Sequence, residues 1–501
     1  MLRSTFLGFK AAGSALKVNQ NLLDIVGQNI SNVNTEGYTR QRLDISSVSF
    51  STNNLKYGVN GPVVGQGVAT TGISQYRDSF LDLRYRMAAS KSGAENVQLD
   101  ALSDLESVFD EINKDGLDAQ FSDFIKKLQS LTSSPTDPVI EGVVRTSASL
   151  ICQMFNNYSE QIDTIKQQYT GYLKEGAIVN VNQLIKNISK LNKEIKEDNI
   201  SGNPALELND QRNMLIDELS SYLEIEVKVN PISIGGGREI DILSIDLLGG
   251  SGVNLINGES FKSLDMIKDS ATGNIDISIE GTNITNSINK GQISGYLKFL
   301  NGKGSFGTPE YNGIQYYDNM LDTLANKFAQ LLNDANRDDI NSVDKPLFGS
   351  RNGEPISAGN IKIHDDWAKT NSSYITNTKK ASPSGDNSGN TENILYMISL
   401  FNSKQDFSTG SGVSLFKGKM QEFFSFTATN LSIQIDDVQK SYDTYSETQY
   451  QIDYARNSYS SVNLDEEGVS LLTYSKSYNA AARLMTTLDE MLDTLINRMA
   501  V

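Results

Sequence analysis

The sequence predicts a multidomain α+β protein, in which long terminal α-helices form a coiled coil and a helical, rod-like part carries a β-rich inserted middle domain. Residues 1–61, 139–203 and 384–501 contain no proline, a residue that costs about 3 kcal/mol in a helix interior. Apolar residues in these tracts recur at strides of three and four, which is typical of amphipathic helices. Residues 230–310 are instead rich in glycine, and residues 223–229 and 275–279 alternate with period two, which favours strands. A chain of 501 residues is long enough for about three such domains.

The C-terminal tract predicts a helix with one continuous apolar stripe, as in a coiled coil. Asn463 is a good N-cap residue, and Glu466 stands where a capping box places its acidic residue. The serine-rich residues 458–461 before it indicate a linker. The C-terminal stripe, which we expect to be an assembly surface, consists of Leu471, Tyr474, Tyr478, Ala481, Met485, Leu488, Leu492, Leu495 and Met499.

The N-terminal tract shows the same stride more weakly, because Gly13, Gln20 and Gly27 interrupt it. We expect this helix to end within residues 32–37, where Gly37 suits a turn. Two apolar stripes at opposite ends of one chain are expected to pair with each other or with a neighbouring molecule. The N-terminal stripe consists of Leu2, Phe6, Phe9, Leu16, Leu23 and Ile30.

The middle of the chain mixes both patterns. Helical strides run through residues 151–172, 317–336 and 431–452, whereas residues 223–229 and 275–279 alternate like half-buried strands. These patterns predict three parts. The terminal helical part comprises residues 1–45 plus 462–501, the helical rod with small β elements comprises 46–220 plus 311–461, and the β-rich outer part comprises 221–310.

Charge and composition exclude several functional classes. The chain has 44 Lys and Arg against 61 Asp and Glu, a net charge of −17, which argues against nucleic-acid and anionic-membrane binding. No apolar run approaches the roughly 20 residues of a membrane span. One Cys and one His cannot supply a thiolate and imidazole zinc site, and Cys152 falls in a helical apolar pattern typical of core. We therefore predict no catalytic, cofactor-binding or metal-binding residues, and no enzyme.

Several stretches resemble bacterial flagellar axial proteins, the family of rod, hook and hook-associated subunits. Residues 29–40 resemble the N-terminal signature and residues 463–496 the C-terminal one, whereas residues 209–219 and 346–361 are similar to hook-associated members. Asn213 departs from the aspartate expected there. The motif residues are Asn29, Asn32, Asn34, Thr35, Gly37, Tyr38, Arg40, Asp210, Gln211, Arg212, Asn463, Leu464, Asp465 and Glu466.

The resemblance implies a structural role as the adaptor that joins hook to filament. It implies terminal helices that line an inner tube, middle domains that face outward, and a turn at residues 29–40 between these layers. The implied partners are the hook protein, a second hook–filament junction protein, further copies of this chain in a helical array, and a cytoplasmic export chaperone at residues 460–501. The implied location is the extracellular flagellum, reached from the cytoplasm by type III export without a cleaved signal peptide.

Two alternatives remain open at the level of sequence. A hook or distal-rod subunit shares both terminal signatures, so only residues 209–219 and 346–361 argue against it. A secreted ligand-binding or host-binding protein would use the β-rich part, and its composition does not exclude this.

Overall fold

The computed structural model describes residues 5–48, 67–235, 238–249, 252–269, 273–369, 373–380, 389–410 and 412–494. Its long helices and small sheets confirm the predicted multidomain α+β class. The helices are α1 Thr5–Ser31, α2 Ser79–Asp115, α3 Leu117–Thr132, α4 Pro138–Gly171, α5 Ile178–Ser201, α6 Leu206–Tyr222, α7 Gln292–Asn301, α8 Ile314–Asn336, α9 Asp365–Lys369, α10 Glu392–Asn402, α11 Met420–Ser460 and α12 Leu464–Asp493. The strands are β1 Gln41–Ser47, β2 Val68–Gln75, β3 Ile225–Gly235, β4 Arg238–Leu247, β5 Asn254–Asn257, β6 Ser260–Phe261, β7 Leu264–Lys268, β8 Ile275–Ile279, β9 Thr282–Asn283, β10 Phe348–Ser350, β11 Ile361–Ile363, β12 Gln405–Ser408 and β13 Ser414–Gly418.

The predicted start of the C-terminal helix is confirmed, but its capping differs from a capping box. Asn463 is the N-cap, and its Oδ1 accepts hydrogen bonds from the backbone N–H groups of Asp465 at 2.9 Å and Glu466 at 3.4 Å. Glu466 does not bond back to the cap residue. Its carboxylate lies 2.6 Å from Nη1 of Arg40, because that cation offers a stronger partner than a backbone N–H.

The predicted linker at residues 458–461 is wrong. Helix α11 continues through Ser460, which leaves only residues 461–463 between α11 and α12. The Ser460 hydroxyl donates to the carbonyl of Arg456 at 2.8 Å, so it is satisfied inside the helix instead of breaking it. Two long helices therefore meet at a short, extended corner.

The strands of the middle region form antiparallel sheets. One sheet has the order β3-β4-β5-β6 and another β7-β8-β9, whereas β1-β2, β10-β11 and β12-β13 are separate hairpins. The inward faces are aliphatic, with Ile245 and Ile277 fully buried. One helix, α7, lies inside the span predicted to be β-rich. A Cβ at Gly295 of α7 would lie 2.5 Å from the carbonyl of Ala94, so this helix packs closely on α2.

A continuous aromatic core joins the helices of the body. The rings of Phe121 and Phe328 have centroids 5.4 Å apart, and Phe121 also contacts Phe401 at 5.9 Å. Buried Trp367 donates from Nε1 to Oε1 of Glu141 at 2.8 Å, which satisfies both polar groups. No helix in the described part of the chain has the length and apolarity that a membrane crossing requires.

Candidate functional site

Three of the four motif segments, which lie far apart in the sequence, meet at one place. The backbone N–H of Thr39 donates to Oδ2 of Asp210 at 3.0 Å, and Nε of Arg40 donates to Oε1 of Glu467 at 2.6 Å. The C-terminal end of α11 completes the group, because the N–H of Arg40 donates to the carbonyl of Ser460 at 2.9 Å. We call this group the polar junction: residues 29–40, residues 205–217, the last turns of α11 and the first turn of α12.

Asn29 closes the N-terminal side of the polar junction. It lies in the last turn of α1 and is 1% exposed. Its Nδ2 donates to the carbonyl of Gln41 at 3.0 Å, and its Oδ1 accepts from the Gln41 N–H at 3.0 Å and the Tyr38 hydroxyl at 2.9 Å. One amide thus imitates a strand partner for β1, and it fixes the angle at which the chain leaves α1.

Gly37 allows the turn to approach α6. Its φ of +75° lies in the left-handed region, which favours glycine. A Cβ at this position would also lie 2.2 Å from Sδ of Met214. The backbone conformation therefore favours glycine, and a side chain at this position would also require Met214 to move.

Asp210 links the turn to α6 and β2. It is 5% exposed, and its Oδ2 also accepts from Nε2 of Gln75 at 2.9 Å. Nη1 of Arg77 lies 3.8 Å from its Oδ1. Burial raises the pKa of Asp210, although the Thr39 N–H and Arg77 oppose that effect. The carboxylate is therefore held by several weak donors from two other elements.

Arg40 holds the start of α12. Its guanidinium contacts Glu466 and Glu467, each at 2.6 Å, and Glu467 is 1% exposed. Burial lowers the pKa of Arg40, but hydrogen bonds to and attraction by both glutamates outweigh this effect and raise it. The backbone carbonyl of Arg40 accepts from the Tyr76 N–H at 2.9 Å. Arg40 thus connects α12 with the strands and with α11.

Arginine–aspartate pairs fasten the junction to the helical body. Nε of Arg86 lies 2.7 Å from Asp217, and Arg456 near the end of α11 pairs with the same carboxylate. Nε of Arg77 lies 2.6 Å from Asp82. Sequence reasoning missed these pairs, because charged residues abound in this chain and no spacing marks the ones that meet.

The remaining motif residues play smaller parts. Asn32 donates from Nδ2 to the Gln28 carbonyl at 3.0 Å and accepts from the Thr35 hydroxyl at 3.2 Å, so both shape the turn. Arg212 on α6 donates to the amides of Asn209 in the same helix and of Asn192 on α5, and not to the turn or to α12. Thr35 is exposed to solvent, as are Asn34, Gln211, Leu464 and Asp465.

The two terminal helices pack against each other in antiparallel fashion. A Cβ at Gly8 would lie 3.5 Å from Cδ1 of Leu488, whereas Arg40 just after α1 contacts the first turn of α12. Most of the C-terminal stripe is partly buried: Tyr474, Tyr478, Met485, Leu488 and Leu492. Ala481 is 8% exposed and Leu471 40% exposed. Leu2, Leu495, Met499 and the side chain of Phe6 lie outside the described residues.

Helix α1 buries a different set of residues most deeply. Phe9, Leu16, Leu23 and Ile30 of the N-terminal stripe are partly buried, whereas Ala12, Val18, Ile25 and Val26 are almost fully covered. Helix α1 contacts both α12 and the β1–β2 hairpin, and the Val68 N–H reaches the Ser14 hydroxyl at 3.4 Å. A single stripe therefore does not account for a helix that packs on two sides.

Helix α12 also keeps large apolar side chains in solvent. Val469 is 66% exposed, Leu472 62%, Leu484 50% and Met491 51%. Helix α1 covers only the other face. These side chains remain available for contact with other protein.

Among the described residues, no group of three or more His, Cys, Asp or Glu side chains is placed to hold a metal ion. Cys152 is buried in the core, and burial raises the pKa of its thiol to about 12. A cavity of about 290 Å³ lies within the polar junction, lined by the turn, α6 and α11. Its walls are ion pairs and amides of the kind that hold elements together.

Three family profiles match the chain in order. Residues 9–39 match the flagella basal body rod protein, residues 102–348 the helical domain of flagellar hook-associated protein FlgK, and residues 456–499 the C-terminal part of the flagellar basal body rod FlgEFG proteins. The first and last of these contain the turn and the start of α12 that meet at the polar junction.

Curated relatives and a solved structure are similar to this chain. Flagellar hook-associated protein 1 of Bacillus subtilis is 28% identical over 534 aligned residues, covering 100% of this chain and 99% of that protein. The Escherichia coli protein of the same name is 26% identical and is covered over 62% of its length. The flagellar hook junction protein FlgK of Burkholderia pseudomallei has the same fold, with a TM-score of 0.58 over 75% of this chain at 12% identity. The motif order, the profiles and the match along the whole chain together show that this chain is similar to flagellar hook-associated protein 1 over its full length.

Proposed function

We propose that this chain is a structural subunit of the bacterial flagellum that joins the hook to the filament. The observation that carries the proposal is the polar junction, which fastens an antiparallel pair of terminal helices to a separate helical body. An axial adaptor needs this division, because one part must enter a continuous tube while the other remains outside it.

Each of the three predicted parts has its own role in the subunit. Residues 1–45 plus 462–501 form the inner-tube part, residues 46–220 plus 311–461 form the helical rod, and residues 221–310 form the β-rich outer part. Helices α1 and α12 are in the same part, since they pack on each other. One compact unit per subunit can then repeat along the axis.

Assembly uses the terminal helices. Subunits of an open helical array meet through heterologous contacts, in which one surface patch meets a different patch of the next subunit. The exposed side chains Val469, Leu472, Leu484 and Met491 on α12 supply one such patch. Neighbours in the array are copies of this chain, the hook protein on one side and a second hook–filament junction protein on the other.

Export precedes assembly. The chain is secreted through the flagellar type III route without a cleaved signal peptide, and a cytoplasmic chaperone covers residues 460–501 before export. The apolar residues on α12 support this, because an uncovered patch of that kind promotes aggregation. The subunit has no catalytic activity. Its polar residues hold helices and strands together.

The test is electron microscopy of a deletion strain, combined with an assay for flagellin in the medium. The proposal predicts hooks without filaments and flagellin lost to the medium. Missing hooks would instead place the subunit in the rod or hook, and normal flagella would exclude an axial role.

A further inference from the structure

One arginine of the polar junction lacks a counter-ion. Arg77, Arg86 and Arg456 each pair with an aspartate, whereas Arg212 on α6 forms no ion pair with any carboxylate in the described part of the chain. The other three arginines therefore have a carboxylate as partner, whereas Arg212 does not.

The guanidinium of Arg212 is held by neutral groups. Its Nη1 donates to Oδ1 of Asn192 at 2.9 Å and its Nη2 to Oδ1 of Asn209 at 2.7 Å. Its Nε is buried and has no hydrogen-bond partner. The two asparagine amide dipoles orient the guanidinium but do not neutralise its charge.

This arrangement favours an anion as the missing partner. Arg212 is half-buried, and a charge that has lost part of its hydration is normally paired, because neutral dipoles alone do not repay that loss. Burial, reinforced by repulsion from Arg77 and Arg86, lowers the pKa of Arg212 to about 10. The side chain therefore still carries its charge near pH 7.

Arg212 faces a cavity that could receive an anion. The cavity has a volume of about 300 Å³ and lies between helices α5 and α6 and the β3–β6 sheet. Lys196, Asn257 and Ser260 bring further hydrogen-bond donors to its wall. Two carboxylates also line it: Glu259, which lies 2.7 Å from Nζ of Lys196, and Asp241.

We propose that this cavity binds a small oxyanion, a phosphate or a carboxylate group, held by the guanidinium of Arg212. The planar guanidinium of arginine matches the oxygens of both groups, and each Nη nitrogen keeps a second N–H group beyond the one it donates to an asparagine. The volume accommodates such a group together with water, which occupies about 30 Å³ per molecule. The site lies beside the polar junction, and its occupancy does not depend on the flagellar role.

The oxyanion has two possible sources. It is either a free ion or the acidic side chain of another protein chain. Both present the same oxygens to Arg212, so binding of either supports the proposal, and the probes below separate the two.

The experiment uses the full chain, with calorimetric titration and thermal unfolding. The probes are sodium phosphate, sodium succinate and a glutamate-rich hexapeptide, each compared with sodium chloride at matched ionic strength. We expect saturable binding and a rise in Tm for at least one oxyanion. Binding of the hexapeptide alone identifies a protein side chain as the source, and binding of the small ions identifies a free ligand.

Variants locate the site. Arg212→Gln should weaken binding by about ten- to a hundredfold, the loss expected when a charged hydrogen-bonding partner is removed. Asp241→Asn should strengthen oxyanion binding, because it removes from the cavity wall a negative charge that repels the oxyanion. This rim variant keeps the test decisive if Arg212→Gln fails to fold. The proposal is overturned if no probe exceeds chloride in wild type and Asp241→Asn, or if folded Arg212→Gln binds as tightly as wild type.

Discussion

The backbone N–H of Thr39 donates to Oδ2 of Asp210 at 3.0 Å, across 171 residues of sequence. Nε2 of Gln75 donates to the same oxygen at 2.9 Å. A single buried carboxylate therefore holds the turn after α1 and the end of β2 against α6. Through this contact the terminal helix pair is oriented relative to the body, which an axial adaptor requires.

Removal of this carboxylate should loosen the turn. Asp210→Ala leaves the Thr39 N–H without a partner, at a cost of about 1–3 kcal/mol for a buried donor. We expect faster hydrogen–deuterium exchange in peptides covering residues 36–41, measured by mass spectrometry. Gln211→Ala, at the exposed neighbouring position, is the control. Equal exchange in both variants would show that Asp210 does not hold the turn.

Two glycine substitutions should act in opposite directions. Gly37→Ala introduces a Cβ at a positive φ and against Met214, so it should destabilise the chain by more than about 1 kcal/mol. Gly27→Ala lies in the helix interior, where a Cβ meets nothing within 4 Å, and should stabilise by about 0.5–1 kcal/mol. Chemical denaturation measures both, and Gly37→Ala combined with Met214→Ala should recover part of the loss. A neutral Gly37→Ala would contradict the close approach.

Stability should depend on pH through Asp318. Burial, reinforced by repulsion from Asp322, raises the pKa of Asp318 from its ordinary value of 3.8 to about 7. Asp163 adds repulsion and Lys166 opposes it. Between those pH values the folded state binds more protons than the unfolded state, so stability falls as pH rises towards 7.

Asp318→Asn should therefore raise Tm relative to wild type by an amount that grows from pH 5.5 to about pH 7 and then levels off. Asp334→Asn, an exposed position on the same helix, is the control and should give a small, constant difference. Thermal unfolding at several pH values measures both. A gain from Asp318→Asn that is independent of pH would show that this carboxyl does not titrate in that range.

A charge in the contact between the terminal helices should block assembly without unfolding the body. Leu488 packs near Gly8 of α1, so Leu488→Asp places an unpaired charge in that contact. Leu492→Asp should act in the same way. We expect a near-normal circular dichroism spectrum and a loss of filaments in a complemented deletion strain. Thr487→Asp, on the exposed side of the same turn, is the control, and normal filaments with Leu488→Asp would refute an assembly role for this stripe.

The local structure could be predicted where a residue pattern has one physical solution. The stripe in α12, the Asn463 cap and the alternation in β3 and β8 lead directly to the observed elements. The linker at residues 458–461 fails because serine favours turns only when its hydroxyl has no better partner, and Ser460 has one in the Arg456 carbonyl.

The site could be predicted only in pieces. The sequence marks the motif residues of the turn, of α6 and of α12 one segment at a time. Nothing in their spacing indicates that Thr39 meets Asp210 or that Arg40 meets Glu467. Those contacts depend on the way in which the long helices and the strands fold back on one another. Local periodicity does not encode this arrangement. For the same reason, the sequence does not predict that Arg86 and Arg456 both pair with Asp217.

The most direct test of the account reverses one ion pair. Arg40 contacts Glu466 and Glu467, so Arg40→Glu sets like charges against each other at the start of α12. The measurement is electron microscopy of filaments in a deletion strain expressing each variant, with secreted flagellin assayed and variant levels matched by immunoblot. We expect hooks without filaments for Arg40→Glu, and partial recovery when Glu466→Arg and Glu467→Arg are added. Normal filaments with Arg40→Glu alone would contradict the claim that the polar junction couples the terminal helices to the body.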